Sequence, residues 1–134
     1  GRWRAFALLM TVLVAAVACV GLFLTLLPAH AASNKYRIQV SEGAKSDGEI
    51  VFAFSPEGVA AFEVAVPIAK GTSENSVARK IRDVLRQKLD PKAFSVEVDD
   101  GEDVLVKKAS GQPDFGLKLV STSVKAVPIN LDRE

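Results

Sequence analysis

The chain has 134 residues, enough for one ordinary domain, and its 17 basic side chains nearly balance 16 acidic ones, which gives no reason to expect nucleic acid as a partner. Its single Trp3, Met10, Cys19 and His30 all fall before residue 31. A domain that lacks that segment has no thiol nucleophile, imidazole base, Cys or His metal ligand, or disulfide.

Arg2 and Arg4 form a short basic start, and the run from Ala5 to Leu27 carries no charge. A basic start followed by an apolar run is the pattern of an export signal. Pro28 then breaks the helix, and Ala29-His30-Ala31 places small residues at the two positions a signal peptidase reads, so a cut is expected before Ala32. Residues 1–31 are thus expected to be a signal peptide and residues 32–134 a small exported domain, periplasmic or secreted. The run also reaches the ~20 residues that span a bilayer. The alternative is therefore an uncleaved anchor in the inner membrane, with membrane contact through residues 5–27. In both cases the basic residues hold the N-terminal end inside and send the domain out. A lipoprotein reading of Ala16-Val17-Ala18-Cys19 fits poorly, because Val20-Gly21-Leu22-Phe23-Leu24 stays apolar where a polar tether is needed.

Within the domain, Tyr36 to Val40 alternates as a half-buried strand does, and Ser41 to Asp47 is a loop. Ile50 to Phe54 is a second strand, and Ser55-Pro56-Glu57-Gly58 turns it into a third, Val59 to Ile68, with Phe62, Val64 and Val66 on one face. Pro67 marks an edge or a terminus. A helix capped by Thr72 or Ser73 is expected to run to about Leu89 and to stop at Asp90-Pro91. At ~100° per residue, Val77, Ile81, Val84, Leu85 and Leu89 share its apolar face. Phe94 to Val98 and Val104 to Val106 form a hairpin around Asp100-Gly101. Phe115 to Val127 reads as a last long strand with room for a bulge, and Pro128 to Glu134 as a fraying tail. The expected class is α+β, an antiparallel sheet of about five to six strands with one amphipathic helix packed on it.

Several of these positions recur in a small hairpin-helix-hairpin module of phage tail and virion proteins and of some bacterial surface proteins. They are Gly71-Thr72, Ala78, Ile81, Leu85, Val96, Val98, Gly101, Val104, Val106, Ala109 and Gly111, and from Gly48 to about Val120 the chain resembles that module. The matched positions are core and turn positions. The resemblance therefore implies a ββαββ arrangement and carries over no active site.

Three groups of polar residues are candidates for chemistry. Asp99, Asp100, Glu102 and Asp103 offer oxygen ligands to a hard cation, but their order is not that of an EF-hand, and a solvated hairpin tip explains them more simply. Arg79, Arg82 and Arg86, with Lys80 to the side, present cations to an anionic lipid or glycan, although Asp83 lies in the same stripe at pairing distance from Arg79 and Arg86. Lys88 projects toward the apolar side, where its stem would snorkel. Ser76 and Lys80 have the spacing of a serine-lysine pair, with Ser73 nearby, but serines at a helix start usually cap it. No catalytic, metal or cofactor-binding set stands out. The expectation is a non-catalytic interaction or structural module of the bacterial envelope or extracellular space, with a protein or envelope component as its partner. The alternatives are an anion-binding module built on Arg79, Lys80, Arg82 and Arg86, and an envelope hydrolase.

Overall fold

The computed structural model describes residues 32–134. Ala29 and Ala31 of the expected cleavage site, and the apolar run 5–27, lie outside the described residues. Among the described residues the order is β1 (Lys35–Val40), β2 (Gly48–Pro56), β3 (Phe62–Ile68), α1 (Glu74–Lys88), β4 (Phe94–Asp99), β5 (Asp103–Lys108), β6 (Phe115–Thr122) and β7 (Ile129–Arg133). The strands form two antiparallel sheets, ordered β4-β5-β1-β7 and β3-β2-β6. The class is α+β as expected, but two sheets with seven strands replace the single sheet of five or six.

The added strand comes from the C-terminal stretch, where the sequence suggested one long strand and a loose tail. In β6, Leu119 pairs with Phe52 and Ser121 with Val51, so Val120 is an extra residue that bends the strand. The chain then turns through Ala126, whose φ is 69°, and returns as β7 beside β1. Ile129 and Leu131 pack on the core from alternate positions of β7. The tail is held by this apolar face as well as by its ladder with β1.

The other elements follow from local sequence. In β1, Tyr36, Ile38 and Val40 point inward while the residues between them are half-buried. The continuous apolar run of β2 suits a central strand: Ile50, Phe52 and Phe54 are buried, and Ala53 nearly so. β3 is an edge strand, which explains how it tolerates Pro67. Pro67 lies opposite Glu49, whose own N–H and carbonyl bond to Ser123 on the far side, so no ladder bond is lost at the proline. Gly48 sits at a close crossing, where an added Cβ would come within 2.8 Å of the Ser123 backbone. The β4–β5 hairpin turns through Asp100, Gly101 and Glu102, where Asp100 and Gly101 take φ of 52° and 81°, the left-handed region that aspartate tolerates and glycine favours.

α1 begins at Ser73, whose Oγ accepts from the Ser76 N–H, and it closes with the Leu89 N–H donating to the Leu85 carbonyl at 2.8 Å. Asp90 then turns the chain, its carbonyl accepting from both Ala93 and Phe94 N–H groups. Val77, Ala78, Ile81, Val84 and Leu85 are buried, with Leu89 just beyond them. This face packs on β3, the edge of one sheet, and on β4, β5 and β1 of the other. The helix thereby spans the opening between the two sheets and covers the apolar side chains that both turn inward.

Truncating the helix face should be costly, and truncating its outer face should not be. Ile81→Ala or Leu85→Ala should lower stability by about 2–5 kcal/mol, and Arg82→Ala by under about 1 kcal/mol. Urea unfolding followed by circular dichroism measures both, and similar losses at Ile81 and Arg82 would contradict the assigned orientation.

Candidate functional site

The cations of α1 do not form a single free stripe. Arg86 donates through Nε to the Val96 carbonyl at 2.8 Å, which seals the outer edge of β4 at that point. Arg82 donates to Asp83 Oδ1 at 2.9 Å, and Arg79 donates to Ser76 Oγ at 2.9 Å. The expected pairing of Asp83 with Arg79 and Arg86 is thus replaced by one with Arg82. The reason is competition: an unpaired edge carbonyl and a first-turn hydroxyl lie closer to the two outer arginines. Lys80 projects elsewhere, onto an open depression of about 580 Å³ that it shares with Ser76, Asp47 and Pro67.

Ser76 is engaged on two sides, since its Oγ accepts from the Ser73 hydroxyl at 3.0 Å as well as from Arg79. Both contacts are local and tie the hydroxyl to the first turn of the helix. The arrangement suits helix capping.

The acidic hairpin tip is divided by a residue that the sequence reading passed over. Arg37, on the outer side of β1, donates through Nη1 to Asp103 Oδ2 at 2.9 Å and to Asp99 Oδ2 at 3.0 Å, and through Nε to Glu134 Oε1 at 2.6 Å. Lys35 adds a second cation, 3.0 Å from Glu134 Oε2. Two of the four hairpin carboxylates are therefore turned onto a guanidinium, leaving Asp100 and Glu102 at the tip. Among the described residues no cluster of three or more His, Cys, Asp or Glu side chains is placed to hold a metal ion. Hydrogen bonds from Arg37 and then Lys35 hold the Glu134 carboxyl below its ordinary value near 4.5, and the three carboxylates raise the affinity of Arg37 for its proton.

An apolar cleft lies at the other end of the helix. A cleft of about 460 Å³ is lined by Pro56, Val59, Phe62, Phe94 and Pro113, with Lys88 and Asp90 among its polar groups. Its aromatic wall is fixed from behind. Phe62 stacks on Phe54 at 5.5 Å, and Phe94 meets Phe54 at 5.8 Å and Phe115 at 5.1 Å, edge to face. Val59, 61% exposed, stands on the lip. The β2–β3 turn, the end of α1, the start of β4 and the β5–β6 loop all contribute. The only local sign of this cleft in the sequence is the apolar stretch Val59-Ala60-Ala61 next to a turn.

With this geometry in place, comparison adds no relative: no protein-family model matches the chain, and no curated protein is similar to it.

Glu134 should make part of the stability depend on acid. A depressed carboxyl pKa stabilises the fold above the ordinary value near 4.5 and withdraws that stability as pH falls through the lowered value. Glu134→Gln should therefore show a shallower loss of stability than the parent chain when urea midpoints are compared below pH 4.5. Identical acid limbs would mean that the Arg37–Glu134 pair contributes nothing.

Proposed function

We propose that this chain is an exported, non-catalytic interaction module of the bacterial envelope or extracellular space, and that its partner inserts an apolar side chain into the cleft between Val59, Phe62 and Phe94. The cleft carries the reading. Its volume is in the usual range for recognition sites, its wall is rigid because each ring packs on another, and an exposed valine extends the apolar surface outward. Residues 32–134 contain no histidine or cysteine, which weighs against the commonest nucleophile and base chemistries. Export rests on the basic start, the apolar run and the Ala29-x-Ala31 site of the sequence. The order hairpin, helix, hairpin is also that of the phage tail and surface module the sequence resembles, which favours a role in assembly.

A second reading keeps one observation in its favour. Arg79 and Lys80 are exposed and Arg82 is only partly covered, so the outer helix face still presents positive charge to an anionic lipid or glycan.

Photo-crosslinking in an exporting bacterial host separates the two. A crosslinker at Val59 should give one discrete adduct that a Phe62→Asp change abolishes, while one at Arg82 gives none. An adduct from Arg82 alone would move the function to the helix face. Anionic vesicles should then bind in a salt-sensitive way that the triple change Arg79→Ala, Arg82→Ala, Arg86→Ala removes. No adduct from either position would defeat both readings.

A further inference from the structure

The edge strands β3, β4, β6 and β7 are not equally defended against pairing with another chain. β3 carries Pro67 and lies against α1, and on β4 Arg86 takes the Val96 carbonyl. β6 is bent at Val120 and bridged at Phe115 by Ser33. β7 has no such device. It holds neither a proline nor a bulge, and it pairs with β1 in unbroken register from Tyr36 opposite Arg133 to Val40 opposite Ile129. The Glu134 N–H donates to the Lys35 carbonyl at 2.9 Å. Backbone groups alternate along an antiparallel ladder, so Glu134, Asp132 and Asn130 turn theirs toward β1, while Arg133, Leu131 and Ile129 turn theirs away. Among the described residues no hydrogen bond reaches these outward groups.

We infer that β7 pairs antiparallel with β7 of a second copy of this chain, about a two-fold axis at Leu131, so that one sheet runs through both molecules. The register follows from the side chains and the ladder together. Centred on Leu131, Ile129 lies opposite Arg133 of the second copy and Leu131 opposite its own equivalent, so every outward N–H and carbonyl of the strand finds a partner. On the inner face the half-buried Leu131 side chains meet across the axis. On the outer face Asn130 lies opposite Asp132 of the second copy, an amide donor against a carboxylate, as in the 3.5 Å contact from Asn130 Nδ2 to Asp132 Oδ2 within one strand. No like charges stand opposite one another. Centring the pair one residue earlier leaves Arg133 beyond the end of the facing strand. Centring it one residue later leaves Ile129 there and sets the two Asp132 carboxylates against each other, which is unfavourable.

Such a contact is isologous, so it closes at two copies and builds no fibre. A strand of 5 residues buries little surface, which makes the pair weak and dependent on protein concentration.

The test reads the register directly, using the full chain in detergent micelles with its single cysteine removed by Cys19→Ser. Asn130→Cys and Asp132→Cys are made separately in that background and oxidised alone and as a mixture, the dimers being resolved on non-reducing gels. Residues opposite each other outside the hydrogen-bonded pairs have Cα atoms about 4.5 Å apart, within disulfide reach, whereas the diagonal neighbours 130–130 and 132–132 lie roughly 7–8 Å apart, beyond it. The mixture should therefore form its mixed dimer roughly tenfold faster than either variant crosslinks with itself. Adding Leu131→Pro to both variants removes an outward N–H that β1 does not use, and it should abolish that excess while circular dichroism still shows a folded domain. Equal rates in all three samples would overturn the inference, and so would an absence of crosslinks or an excess that survives Leu131→Pro. If the proline variant unfolds, the comparison of the three rates decides by itself.

Discussion

Burial of the Phe115 ring is the constraint on which the rest of this structure depends. Its backbone is the first residue of β6, where it pairs with Pro56 of β2 on one side and with Ser33 on the other. Its ring lies 5.4 Å from Tyr36 in β1 and 5.1 Å from Phe94 in β4, both in the four-stranded sheet, and 6.2 Å from Phe54 in the three-stranded one. One side chain therefore joins the two sheets from inside, and one backbone joins them along an edge. Aromatic burial of this kind supplies a large apolar area together with geometric preference, which is why the two sheets keep a fixed relation at this end of the molecule.

At the opposite opening the helix does the equivalent work with aliphatic groups. β3 and β4 are edge strands, each with backbone groups that no neighbouring strand satisfies, and α1 lies across both. The apolar face of the helix fills the space between them, and Arg86 takes the Val96 carbonyl that β4 leaves unpaired. A residue that resembles a ligand-binding cation in the sequence is thereby spent on edge protection. Arg37 plays a similar part on the outer surface, where it holds β1, the acidic hairpin and Glu134 together. Such exposed pairs add little energy individually, and their effect here is to fix positions.

These two closures also decide where a partner has room to bind. The Ser33 side is filled by the Ser33–Phe115 bridge and by β7 paired with β1. The end formed by the β2–β3 turn and the β5–β6 loop stays open around Phe62 and Phe94, whose rings are part of the aromatic cluster and yet border solvent. The proposed binding cleft and the fold therefore share residues, so a change at Phe94 would disturb both.

The sequence by itself determined the elements whose signals are local. The period of Val77, Ile81, Val84 and Leu85 set the helix and its buried face, Thr72-Ser73 set its start to within a residue, and Asp100-Gly101 set a hairpin with the positive φ angles that pair favours. It also determined that no histidine or cysteine lies in residues 32–134. The tertiary structure alone decided the division into two sheets, because strand partners such as Val40 with Ile129 are far apart in the chain and nothing in either segment names the other. It decided the fate of the charges for the same reason. Arg37, Asp103 and Glu134 become neighbours only once β1 lies between β5 and β7, and Arg86 finds its carbonyl only once β4 is an edge. The cleft is assembled from three separate stretches of chain, so its shape is a property of their packing and leaves almost no trace in their order.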